Sequence, residues 1–273
     1  MRNVLLSTVL FMGIISVHAQ NKVSINNQNM EKKTSAVRLI YPQWQGGIVA
    51  HWMPDIPAED ASRGYYLGAQ LLNMLAPESS QEVIEVPVSL DINDRETEKG
   101  ISSRRVILKQ TKAALEKLRE KAPDRIVTLG GDCSVSVVPF TYLAEKYPGE
   151  VAVVWIDAHP DVNLPYDEYE GYHAMALTAC LGMGDEEIMG LLPGKFDASK
   201  ALIVGLRSWD TGMKERQEKL GIKGLSPEKV GITSPAQTIT AGGVVKPIDY
   251  YFAEDLKPEI SNSIEVGTEW KFF

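Results

Sequence analysis

Cysteine and histidine are scarce, two and four in 273 residues. Any metal or redox site must therefore draw on those six residues and on carboxylates. Positive charge is also short, with 28 Lys and Arg against 36 Asp and Glu, a net charge of -8 and an isoelectric point near 5.2. A nucleic-acid binder needs a basic face to displace counterions, so that class is excluded as a partner. Internal repeats and low-complexity tracts are absent. Long apolar runs are missing too: the one sustained stretch, Val4 to Val17, falls short of the roughly 20 residues that span a bilayer. Hydrophobic residues nevertheless make up 44% of the chain, enough to offset the entropy of ordering and to exclude disorder as the main state.

Arg2, the apolar run and the ending Val17-His18-Ala19 together have the form of a signal peptide, residues 1–19. This predicts export to the periplasm or medium with cleavage after Ala19, and no membrane association afterwards. His18 leaves with the signal, so the mature chain keeps His51, His159 and His173. Residues 20–35 read as a polar leader.

From there strand and helix patterns alternate. Strands are expected at Ala36–Tyr41, Val83–Leu90, Ile126–Leu129, Val151–Ile156 and Ala201–Leu206. Helices are expected at Asp60–Leu75, with Leu67, Leu71 and Leu75 on one face, at Thr97–Lys121, and after Gly130-Gly131 through Leu143. Val151–Ile156 and Ala201–Leu206 are continuously apolar, as in strands buried on both faces. The pattern predicts an α/β fold, a three-layer α/β/α arrangement around a mainly parallel sheet.

In such sheets chemistry gathers at the carboxyl ends of strands. Three buried strands here end in polar clusters: Gly130-Gly131-Asp132-Cys133-Ser134, Asp157-Ala158-His159-Pro160-Asp161-Val162-Asn163, and Gly205-Leu206-Arg207-Ser208-Trp209-Asp210. Along an extended chain Asp157, His159 and Asp161 point the same way. Two carboxylates and an imidazole converging after a buried strand repel one another unless a cation sits among them. Such a donor set suits Mn²⁺ or a similarly hard ion.

These clusters, together with Tyr172-His173-Ala174-Met175, resemble the ureohydrolases, the family of arginase, agmatinase and formimidoylglutamase. The resemblance covers about residues 36–230. It implies an arginase-like fold, two Mn²⁺ ions sharing a hydroxide, and hydrolysis of a small amidine or guanidine with release of urea or a related product. It implies that Asp157 bridges the metals, His159 binds the second and Asp161 the first, so that Asp161 serves both the metal and the catalytic set. Cys133 stands where the family carries a histidine ligand, and His173 matches the histidine that handles protons near the scissile group. Asn163 and Asp210 match positions that hold the amino-acid end of arginine. A homo-oligomer is compatible with the family.

Two departures stand out. Cys133 is either a softer ligand, better suited to Zn²⁺ than Mn²⁺, or a packing residue. In an exported chain it is also a candidate to pair with Cys180. The family's late Ser-x-Asp-x-Asp-x-x-Asp-Pro motif, with two further metal aspartates and central sheet strands, has no counterpart after Asp210. Ser89-Leu90-Asp91-Ile92-Asn93-Asp94 is its nearest look-alike and comes too early. The sequence thus reads as an incomplete ureohydrolase domain, 36–230, followed by an unrelated tail, 231–273, in which Ile264–Phe272 alternates like a strand. Two functions follow: an impaired metallohydrolase of arginine, agmatine or formiminoglutamate, or a non-catalytic remnant with a weak single-metal site. The export reading is checked by mass spectrometry of the native protein, which should show a chain beginning at Gln20; retention of residues 1–19 would refute it.

Overall fold

The computed structural model describes residues 4–8, 14–17, 35–230, 237–241 and 244–248. The strands are β1 Val4–Thr8, β2 Ile14–Val17, β3 Ala36–Tyr41, β4 Glu82–Glu85, β5 Thr97–Glu98, β6 Ile101–Ser102, β7 Arg125–Gly130, β8 Val153–Ile156, β9 Ala201–Val204, β10 Lys223–Leu225, β11 Gln237–Ala241 and β12 Val244–Ile248. The helices are α1 Val49–Trp52, α2 Ala58–Leu75, α3 Arg104–Lys121, α4 Val137–Lys146, α5 Ala176–Cys180, α6 Glu186–Leu191 and α7 Thr211–Leu220.

Two runs of parallel strands carry the architecture. β4, β3 and β7 form one, with β3 central and Tyr41 opposite Gly130. β10, β9 and β8 form the other, continued by β1, which pairs parallel to β8 from Leu5–Val153 to Thr8–Ile156, and by antiparallel β2. β2 runs alongside β7 without ladder pairing. The apolar run read as a targeting signal therefore also supplies strands.

The period of two along β3 sorts its side chains into layers. Val37, Leu39 and Tyr41 enter the main core with Ile107, Ala114 and Leu118 of α3, Phe140 and Leu143 of α4, and Trp155 of β8. Ile40 faces the other way and joins Leu129, Ala69 and Leu72. Helices thus cover both faces, the three-layer α/β arrangement the pattern predicts.

Three details differ from expectation. The predicted strand over Val83–Leu90 is only β4. The predicted helix over Thr97–Lys121 begins at Arg104, because the hairpin of β5 and β6 turns at Lys99 and Gly100, both with positive φ. On α2 the leucine stripe points outward: Leu67, Leu71 and Leu75 are 57%, 46% and 62% exposed, while Ala69 and Leu72 face the sheet. Ala69 is small enough to bring the helix close to Ile40 and Leu129, and that approach fixes the helix rotation. The leader segment 20–34 and the strand read at Ile264–Phe272 lie outside the described residues.

One ion pair ties α3 to α6 across the core. Arg104 donates through Nε and Nη2 to Asp185 at 3.0 and 2.7 Å, and both side chains are almost fully withdrawn from water. Asp185 in turn caps α6 by accepting from the Glu187 and Ile188 amides. Removing the cation leaves a buried carboxylate unpaired, which costs about 3–5 kcal/mol. Arg104→Ala should therefore lower unfolding stability by about that amount in urea titration, whereas a loss below ~1 kcal/mol would show that the pair is not a main tie.

Candidate metal centre

β7 ends against Gln43, and Gly131 is required there: a Cβ would lie 1.6 Å from the Gln43 carbonyl oxygen. The Asp132 amide donates to that same oxygen at 2.9 Å. Asp132 then caps the turn Cys133–Ser136 by accepting from the Ser134 amide at 2.9 Å, and it also accepts from the Ser134 hydroxyl. Gln43 donates to Ser134 Oγ at 2.6 Å and accepts from Gln110 at 2.8 Å and Tyr41 at 3.1 Å. Burial pushes the Asp132 carboxyl up to about 6. This polar bed fixes where Cys133 begins.

β8 delivers the carboxylates from the other strand run. The Asp157 amide donates to Val204 at 2.9 Å, which continues the ladder one residue beyond the strand. Asp157 Oδ1 accepts from the His159 amide at 2.8 Å. Asp161 adopts a left-handed backbone, φ 47°, a conformation Asp tolerates better than most residues. Its carbonyl accepts from the Leu177 amide at 3.0 Å, and two residues on the Asn163 amide donates to Ala174 at 2.8 Å. These bonds fasten the loop to α5 and the turn before it.

The sequence-predicted residues are thus sorted. Cys133, Asp157 and Asp161 converge, with one ligand atom from each inside 4.8 Å of the others. The Cys133 thiol lies 3.8 Å from Asp157 Oδ2. His159 does not join them. The chain is not extended through this segment; the imidazole is 54% exposed, with Nδ1 3.5 Å from Asp157 Oδ1. His173 lies in the turn Tyr172–Met175, its Nε2 2.8 Å from the Tyr169 hydroxyl and its ring edge-on to Tyr169. Asn163 is buried, and its carbonyl accepts from Thr178 at 2.6 Å. Asp210 caps α7, accepting from the Met213 amide at 2.6 Å, and is exposed. Cys133 and Cys180 are both free thiols, so the candidate disulfide is not formed; Cys180 sits deep in the core on α5. Tyr169 has no signal in the sequence reading, and Asp132 stands there in a polar cluster without a role. Asp132-x-Ser134 at the end of a strand is a capping signal that marks the latter.

The electrostatics are those of a site short of positive charge. Burial, then the neighbouring Asp157, hold the Asp161 carboxyl well above the usual carboxylate range. Burial, then Asp161 and Asp157, push the Cys133 thiol up. Asp161 is 2% exposed, and its Oδ2 has no hydrogen-bond partner.

A model of the arginase family matches residues 69–242, well over half of the chain. The chain belongs to the arginase family. An arginase of Entamoeba histolytica is 34% identical over 98 residues, 34% of this chain and 33% of that protein. One of Neurospora crassa is 29% identical over 187 residues, 62% and 52% of the respective chains. The chain thus spans about half or less of the length of these curated relatives. Among solved structures, the Entamoeba histolytica arginase in complex with L-ornithine superposes with a TM-score of 0.56 at 19% identity, covering 72% of this chain and 66% of that one. The Bacillus caldovelox arginase superposes at 0.53 with 22% identity, covering 72% and 66%. These likenesses show the fold.

The family is typically metal-dependent, and the donor set of this member fits one divalent cation: two carboxyls and a thiol face one another, and one buried carboxyl oxygen lacks a partner. Among the described residues this is the one group of three or more such donors. A cavity of about 550 Å³ opens elsewhere, lined by residues that include Trp44, His51, Arg95 and Ser103, and none of the metal donors lines it.

Burial lowers the His173 imidazole to about 4, with Asp157 opposing and His159 assisting the shift. Above pH ~6.5, its unfolded value, the ring is neutral in both states. Between that value and about 4 the unfolded chain binds more protons, so the His173 contribution to stability falls as pH drops through this window. NMR titration of metal-free protein should place this imidazole more than one unit below the ~6.5 of a free histidine; a value at or above 6.5 would contradict the burial.

Proposed function

We propose that this arginase-family chain is a metal-dependent hydrolase of small guanidino or amidine compounds, a ureohydrolase-type activity. The observation that carries the reading is the convergence of Cys133, Asp157 and Asp161 at the carboxyl edge of the parallel sheet, with a buried carboxyl oxygen left without a partner. Support also comes from the relatives, which are named arginases. Mn²⁺ is the ion the family resemblance brings, and a dication held by these residues supplies a Lewis acid and lowers the pKa of water.

The chain's own side chains do the rest. Asp157 and Asp161 place two carboxyls at a largely buried position, where a bound dication would offset the cost of ionising them. His173 is neutral near pH 7 and keeps a ring nitrogen 2.8 Å from the Tyr169 hydroxyl, so it can take a proton at one nitrogen while Tyr169 holds the other. Asn163 and Asp210 are the residues we assign to the amino-acid end of a substrate such as arginine, and the export of the chain belongs to the same proposal. Because the described residues gather donors for one cation where the resemblance implies two, we infer arginine turnover well below the roughly 10 s⁻¹ of a typical enzyme.

The test is urea release from arginine and agmatine, and formamide release from formiminoglutamate, by Mn²⁺-loaded protein beside Asp157→Asn. Slow turnover by the parent, reduced at least about a hundredfold in the variant, supports the reading. Release no faster than the variant's with all three substrates overturns it.

A further inference from the structure

Three buried or half-buried acidic groups share the centre, and one of them is sulfur. Its placement is imposed by the backbone. Gly131 packs against the Gln43 carbonyl, Asp132 is committed to capping the turn, and Cys133 is the first residue of that turn. The thiol makes no disulfide. It lies 3.8 Å from Asp157 Oδ2, and the three donor atoms stay within 4.8 Å of one another. Zinc–sulfur and zinc–oxygen bonds of about 2.3 and 2.0 Å place neighbouring tetrahedral ligands roughly 3.5 Å apart. The cluster is therefore one small contraction from the spacing a four-coordinate ion requires. A second, independent sign of a missing ligand is Asp161 Oδ2, buried and without a hydrogen-bond partner.

We propose that Cys133 is itself a metal ligand, through its thiolate, and that this centre therefore favours a borderline-soft dication of the Zn²⁺ or Co²⁺ kind over Mn²⁺ beyond what a histidine at the same place would give. The proposal rests on the cation reading above and specifies its chemistry. Thiolate is a soft donor that stabilises Zn²⁺ and Co²⁺, whereas carboxylate and water suit Mn²⁺. Coordination replaces the S–H bond with a metal–sulfur bond, and the proton leaves to solvent. Two carboxylates and a thiolate also bring more negative charge to the ion than two carboxylates and an imidazole. The packing role open to a free cysteine predicts the opposite, a sulfur that ignores the ion.

Cobalt reports the difference directly. The full chain is titrated with Co²⁺ and followed by absorption, beside Cys133→Ser and Cys133→His, with circular dichroism to verify that each variant is folded. Expected are a near-ultraviolet sulfur-to-cobalt charge-transfer band in the parent, its absence in both variants, and a Zn²⁺-over-Mn²⁺ preference in competition that falls about tenfold or more in Cys133→His, the scale of single changes around a metal. Visible Co²⁺ bands without the charge-transfer band in the parent overturn the ligand role of Cys133 and leave the cation site standing. An unchanged Zn²⁺-over-Mn²⁺ ratio in Cys133→His does the same. Failure of the parent to bind Co²⁺, Zn²⁺ or Mn²⁺ overturns the cation reading, and the ligand proposal with it.

Discussion

Groups that would each carry negative charge, Cys133, Asp157 and Asp161, are forced together where water is scarce, and the surrounding structure serves that crowding. Burying ionised groups without compensation is costly, so Cys133 and Asp161 hold their protons more tightly unless a cation is taken up. The protein does not relieve the strain by moving them apart. Gly131 admits the Gln43 carbonyl, Asp132 closes the turn, and Gln43, Gln110, Tyr41 and Ser134 form a connected bed beneath it. On the opposite side Asp161 accepts a left-handed backbone and is fastened through Leu177. Together these bonds hold the three donors where they meet.

The neighbouring groups are tuned to the same environment. His173 is kept neutral by burial although Asp157 favours its charged form, and a neutral ring can accept a proton where an imidazolium cannot. Tyr169 fixes the ring from the edge. Arg104, the buried cation of the core, is committed to Asp185 on the α3–α6 side and neutralises a helix cap there.

Much of this was legible in the sequence because period and composition carry it. The run Ala36–Tyr41 is a strand, the β-branched runs near 126, 153 and 201 are parallel strands, and the polar clusters that follow them are where the donors lie. What the sequence did not show depends on rotation and local backbone. Leu67, Leu71 and Leu75 make a clean stripe, yet the contact of Ala69 with Ile40 and Leu129 decides which face of α2 meets the sheet. Asp157, His159 and Asp161 alternate as letters, but the return of the His159 amide to Asp157 and the positive φ of Asp161 break the extended geometry. His159 swings out and Asp161 stays in. Asp210, matched by resemblance to a substrate-holding position, also caps α7, a role its place before Thr211 signals in the sequence.

The donors arrive from two separate strand runs: Cys133 follows β7, and Asp157 and Asp161 follow β8. Direct ladder pairing does not join β7 to β8. An ion held by all three donors is therefore a clasp across the seam of the molecule, closing a loop of chain much as a cross-link does. Its binding free energy is shared between occupancy and cohesion, and apparent stability rises by RT ln(1 + [L]/Kd) with the free ion. If the proposed ion binds there, its removal would loosen the strand run ending at Cys133 against the run ending at Asp157, as well as silence the site.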